Sequence, residues 1–174
     1  CWHRQVNMGH SVVECRELEQ QDFDFTDLEQ ELKVDERCRT LLGSFYQHLQ
    51  ADGMDAQNAS ELAFAADYYL RDYLLDFGRQ NVVRPVPGIV RYFAANWFIT
   101  HTLDPEMAVL GRHLESIRRW YAFLHLQHLI SVEELRFLEA ETGELDYYAG
   151  RIDSFLSIEK DGYVSWEAAC ARPF

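Results

Sequence analysis

Long apolar runs are missing from this sequence. The most apolar stretch, Ile89 to Ile99, is interrupted by Arg91 and Asn96, and nothing approaches the ~20 apolar residues that a membrane-spanning helix needs. Cysteine is sparse and scattered, because Cys1, Cys15, Cys38 and Cys170 include no C-x-x-C pair. A 174-residue chain that is 48% hydrophobic and 14% aromatic can bury a core without covalent staples. Reduced thiols in a cytoplasmic protein are therefore expected. Positive charge is also short: 16 Lys and Arg face 29 Asp and Glu, a net charge of −13. That balance disfavours a nonspecific duplex binder, whose affinity comes from neutralising phosphates. Catalytic signatures are absent too. There is no GxGxxG, Walker loop, HExxH or GxSxG. No Glu is followed by His three residues later, which removes the ExxH pairs of a di-iron bundle. No internal repeat, low-complexity segment or strand pairing stands out, and no cofactor is expected.

What is present is helical periodicity. Met107, Leu110, Leu114, Ile117, Tyr121, Leu124 and His128 recur at alternating gaps of three and four, which places them on one side of a helix running within Asp104 to Ile130. Asp104 suits its cap, Pro105 its first turn and Glu106 the positive end of its dipole. On that seam His128 is expected to be buried, with His113 and His125 at the surface or boundary.

The same reading predicts other helices. Phe25, Leu28 and Leu32 share a face after a Thr26/Glu29 capping box. Arg37 to Gln50 continues with Cys38, Leu41, Leu42, Phe45, Tyr46 and Leu49 inward, and Asp52-Gly53 ends it. Asn58 with Glu61 is read as the cap of a long helix from Ala59 to Phe77. Its stripe of Leu62, Ala66, Tyr69, Tyr73 and Phe77 is widened by Phe64, Leu70 and Leu74. The proline-bearing segment 79–88 links it to a helix over Gly88 to Ile99. Ser131 and Glu134 form another capping box before a stripe of Leu135, Leu138, Thr142, Leu145, Ala149, Ile152 and Leu156. Gly143 and Gly150 mark two places where this last helix can break. The expected fold is all-α, a bundle of five or six helices with short loops. It divides into an acidic N-terminal segment (1–36), a helical core (37–157) and a tail (158–174).

Candidate functional residues fall into three groups. Cys1, His3, His10 and Cys15 are ligand types that zinc accepts, but their spacing matches no standard finger. Arg112, Arg118 and Arg119 are the densest basic group, and they form the candidate phosphate-contact face. Glu115 stands at ion-pairing distance from Arg118 and Arg119, and Trp120 beside them is read as added aromatic surface. Asp67, Asp72 and Asp76, beside Tyr68, Tyr69 and Tyr73, read as a solvated acidic ridge along a tyrosine-rich stripe. A second acidic concentration lies at residues 14–36, where ten carboxylates face Arg16 and Lys33.

The order FYQHLQADGM, SELAFAADYYLRDYLLDFG, PVPGIVRYFAANW and HLESIRRWYAFLHLQHLI resembles the core-binding, SAM-like domain of tyrosine recombinases over about residues 41–131. The run from His113 to Leu124 is similar to the final helix of that pattern. The resemblance implies a SAM-like helical core, a DNA-facing role, and Arg118 and Arg119 near the phosphates. Residues 132–174 are too short for the family's catalytic domain, so strand transfer is not expected of this chain.

These observations favour a non-catalytic interaction module that holds another protein, or a second copy of itself, through an acidic or aromatic surface. A DNA-associated module is the alternative, and a histidine-dependent metal protein or enzyme the third. No membrane partner is expected.

Overall fold

Seven helices and one short 3-10 turn, with no strand, make up the residues that the structure describes, 17–174; it is a computed structural model. After the 3-10 turn (Gln20–Phe23) come α1 (Leu28–Ala51) and α2 (Ala56–Tyr68), which continues as a π-helix over Tyr69–Phe77. Next is α3, with Ile89–Tyr92 in α geometry, Phe93–Trp97 in π geometry and Phe98–Thr100 in α again. Then follow α4 (Met107–Leu126), α5 (Val132–Thr142), α6 (Leu145–Leu156) and α7 (Gly162–Ala168). No helix among the described residues is long and apolar enough to cross a membrane.

Local chemistry sets most helix ends. Asp27 caps α1 by accepting from the Gln30 amide at 2.8 Å. The Thr26 amide and hydroxyl in turn both donate to the Gln30 side chain, so the expected Thr26/Glu29 box is replaced by one displaced along the chain. Asp55, not Asn58, caps α2 and accepts from the Asn58 amide at 2.9 Å. An aspartate three residues upstream of that amide satisfies it better than the expected Asn58/Glu61 pair. The Ser131/Glu134 capping box forms as expected. Asp104 does not cap α4; Glu106 occupies that position without a side-chain cap, and Pro105 is buried just outside the helix.

The far end of α4 corrects another expectation. His128 has a φ of 61° and is exposed, because the chain leaves the helix after Leu126. A left-handed residue reverses the backbone, and Leu129 and Ile130 take the buried places that the periodicity had assigned to His128. The long final helix breaks at Gly143, separating α5 from α6. The break rotates the stripe, leaving Leu145 and Leu156 exposed while Tyr148, Arg151 and Ile152 turn inward.

α3 is the most enclosed helix, with every residue from Tyr92 to Ile99 buried. Its aromatic side chains meet those of the π segment of α2. Tyr69 and Phe93 pack edge to face at 5.1 Å, and Tyr73 lies 5.2 Å from Phe93 and 5.3 Å from Trp97. Phe174 of the tail closes over Tyr73, Phe77 and Tyr92. Two buried charges from the neighbouring helices hold α3 in place. Glu141 of α5 accepts from the Gly88 and Arg91 amides at 3.0 and 2.8 Å, capping a helix start that has no capping side chain of its own. Arg151 of α6 donates to the carbonyl of Ala95 at 2.9 Å and to that of Trp166 at 2.7 Å, with its guanidinium 3.8 Å from the Trp166 ring.

Candidate interaction surfaces

Much of the acidity near the N-terminus is consumed inside the molecule. Phe23 is fully buried, and Gln20 reaches the Val83 carbonyl at 3.1 Å. Asn81 donates to the Gln20 carbonyl at 2.8 Å and to Asp24 at 2.9 Å, and Arg84 pairs with Asp24 at 2.7 Å. The Arg84 and Asn81 hydrogen bonds hold Asp24 below its usual carboxylate range. Arg79 forks onto Glu31 at 2.8 and 2.9 Å, and lies over the Phe25 ring. Arg71 joins Asp35 of α1 to Asp67 of α2. These contacts stitch the N-terminal segment to the 79–88 loop. The expected division at residues 36 and 37 falls inside the single helix α1.

A groove opens between α1 and the π segment of α2. Leu28 and Leu32 are 70% and 62% exposed on one wall. Their spacing puts them on one face with Phe25, and at these two leucines that face is left open. Within α1, burial begins at Val34. On the other wall stand Asp72 and Asp76, one helical turn apart, neither with a hydrogen bond or ion pair among the described residues. Glu31, Asp35 and Arg71 complete the rim of a volume of about 300 Å³.

Partial burial raises the Asp72 pKa, and the negative charges of Asp76 and Asp67 add to the effect against Arg71. A folded-state carboxylate pKa above the unfolded value means that folding favours the protonated form. The ionised Asp72 therefore costs stability above the raised pKa, and the cost disappears as pH falls below the unfolded value. The group is largely exposed, so screening keeps the effect small. Asp72→Asn is expected to raise the melting temperature at pH 7 by about 1–2 °C. Thermal melts across pH 3–7, a span of roughly the carboxylate range, should show the difference vanish at the acidic end.

A larger groove, about 620 Å³, runs between α2 and α4. The sequence placed Arg112 and Arg119 on one face, and both line this groove with His113 and Glu115. Glu115 accepts from Arg118 at 3.0 and 2.7 Å and from Arg119 at 2.7 Å. Burial pushes the Glu115 pKa up, but the two arginine hydrogen bonds more than offset it and the net shift is downward. Arg112 has no hydrogen bond or ion pair among the described residues. Across the groove Phe64 is 76% exposed. Periodicity had put it in the core, but α1 and α4 cover only the arc of α2 that carries Ala59, Leu62 and Ala66. His113 packs against Tyr68 and Phe98, and its Nδ1 is buried without a hydrogen-bond partner among the described residues. Burial, helped by the Arg112 charge, lowers its pKa.

Other candidates are dispersed. Trp120 is not a surface aromatic but is fully buried against Phe45 and Phe123. Position 120 lies one residue from Tyr121, and both face the core because helices pack on two sides of α4. Tyr69 and Tyr121 share a buried hydroxyl–hydroxyl bond of 2.8 Å, so these tyrosines serve the core. Cys38 is a buried thiol whose pKa is pushed up to about 12 by burial, which makes it unreactive. Cys1, His3, His10 and Cys15 lie outside the described residues. Among the described residues no group of three or more His, Cys, Asp or Glu side chains could hold a metal ion.

No family model, curated protein or solved structure matches the chain.

Proposed function

We propose that the chain is a non-catalytic, cytoplasmic interaction module, and that its α1–α2 groove binds a basic amphipathic helix of another protein. The observation that carries this reading is the pairing of exposed Leu28 and Leu32 with Asp72 and Asp76 on the facing wall. A partner helix with apolar residues four apart would bury both leucines, at about 1.5–3 kcal/mol for each fully covered side chain. Lysine or arginine flanking those residues would meet two carboxylates that make no hydrogen bond or ion pair among the described residues. The repulsion from Asp76, which adds to the burial that raises Asp72, would be relieved by the same contact. Electrostatics of this kind sets partner choice and association rate more than raw affinity. Cys38 and Cys170, free thiols among the described residues, support a reducing compartment.

The test is a fluorescently labelled helical peptide carrying leucines at i and i+4 with flanking lysines, titrated by anisotropy. A control peptide keeps the leucines and replaces lysine by glutamate. The basic peptide is expected to bind, to weaken as salt rises, and to lose about tenfold in affinity with Leu28→Ser plus Leu32→Ser. Both leucines are exposed, so the double variant should keep its fold, checked by circular dichroism. Equal binding of the acidic control, or no loss in the double variant, would sink the proposal. Duplex DNA at low salt is expected to show no shift. A shift abolished by Arg118→Glu plus Arg119→Glu would replace this reading with the DNA-associated one.

A further inference from the structure

The α2–α4 groove carries chemistry that a basic helix in the α1–α2 groove does not use. Its walls are apolar over Met54, Leu62, Phe64 and Val109, and they run up to Arg112 and Arg119. The volume, about 620 Å³, lies within the roughly 300–1,000 Å³ range of small-molecule sites. Four charged side chains line it: Glu61, Arg112, Glu115 and Arg119. Glu115 is engaged by Arg118 from outside the groove and by the Nε of Arg119. The lining is thus balanced, two guanidiniums against two carboxylates, and with Glu115 taken up by Arg118 and Arg119 the charges left without an ion pair among the described residues are Arg112 and Glu61.

Among the described residues, the Arg112 guanidinium is the one at the groove that no side chain engages. Beside it His113 lines the groove, its ring packed against Tyr68 and Phe98 and its Nδ1 buried without a hydrogen-bond partner among the described residues. Phe64, left exposed on the opposite wall, supplies apolar area for a hydrocarbon or aromatic body.

We infer that the α2–α4 groove is a binding site for a small amphipathic carboxylate, its anionic head on Arg112 and its apolar body against Phe64, Leu62 and Val109. Arg119 adds to the attractive field from the far end of the same helix face. It is already tied to Glu115, so it is the lesser contact. A nucleic-acid backbone fits poorly, because it has no apolar body to set against Leu62, Phe64 and Val109.

The experiment titrates octanoate into the 15N-labelled chain, with octylamine and octanol as arms that keep the body and change the head. Octanoate is expected to bind in the low-millimolar range or tighter, shifting the amide signals of α2 and α4 around Phe64 and Arg112. Arg112→Gln should weaken octanoate by about tenfold and leave octanol unaffected. Phe64→Ser should weaken both. Both positions face solvent, so these variants are expected to fold, and Arg136→Gln, elsewhere on the surface, serves as the charge control. The inference is overturned if octylamine binds as well as octanoate, if Arg112→Gln and Arg136→Gln behave alike, or if the shifts map to Leu28 and Leu32. Absence of octanoate binding at the highest soluble concentration overturns it as well. None of these results bears on the basic-helix proposal, which is read at the other groove.

Discussion

Replacing Glu141 with alanine is expected to cost about 2–4 kcal/mol of stability. Its carboxylate is 3% exposed and accepts two backbone amides, Gly88 and Arg91, at 3.0 and 2.8 Å. Those amides begin α3, whose Gly88 cap has a φ of 89° and no capping side chain. With Glu141 gone, two donors at the start of a buried helix lose their acceptors, each at roughly 1–3 kcal/mol. The negative charge opposite the helix dipole is lost as well. Against this stands the relief of no longer burying a carboxylate, which is why the estimate stops short of the plain sum. Urea and thermal unfolding followed by circular dichroism should show the melting temperature fall by roughly 5–15 °C. Glu141→Gln keeps one acceptor oxygen and should fall between wild type and alanine. If alanine and glutamine were both indistinguishable from wild type, the amides would have to be satisfied elsewhere, and the capping role would be wrong.

Trp120→Ala should be more damaging, at about 3–5 kcal/mol, because the ring is fully buried and its removal leaves a cavity that the helices on both sides cannot fill. Phe45 meets it edge to face at 5.4 Å and Phe123 lies 5.9 Å away, so an aromatic contact is lost along with the volume. The indole nitrogen has no hydrogen-bond partner among the described residues. Trp120→Phe therefore removes volume and no hydrogen bond, and its loss should be well under half that of alanine. Paired chemical denaturation of the two variants separates these effects. A phenylalanine variant as unstable as alanine would mean that the indole nitrogen holds a bond that matters.

Individual residues show how far sequence alone reaches. Ser131 and Glu134 could be identified as a capping box because both partners lie within one turn of each other. Leu110, Leu114, Ile117, Tyr121 and Leu124 are buried as their spacing implies. The pairing of Glu115 with Arg118 and Arg119 was legible for the same reason; of the two glycines where the last helix could break, Gly143 ends α5 and Gly150 lies within α6. Phe64 was misassigned to the core stripe, and Leu28 and Leu32, whose spacing put them on one face with Phe25, stay exposed. Spacing fixes a side chain's angle around its own helix, but it carries no information on whether a second helix arrives at that angle. His128 was misassigned because one left-handed residue ends the periodicity without a glycine to announce it.

The candidate sites divide along the same line. Arg112 and Arg119 were recognisable as sharing a face, but the groove beside them needs α2, whose lining residues are about 50 positions away in the chain. The facing carboxylates Asp72 and Asp76 were legible as an acidic ridge. Their position opposite Leu28 and Leu32 was not. Glu141 and Arg151 left no trace in the sequence at all. Each is an ordinary charged residue on an amphipathic helix until it is seen to bond a backbone more than 50 residues distant.

By itself, then, the sequence determined the all-α class, most helix spans and an acidic exterior, because hydrogen bonding within a turn and a 3.6-residue period are local properties. Only the tertiary structure decided which apolar side chains stay in water, which charges go inside and where grooves open. Those outcomes depend on which helix covers which arc of its neighbour, and that is settled by the packing of the whole chain at once.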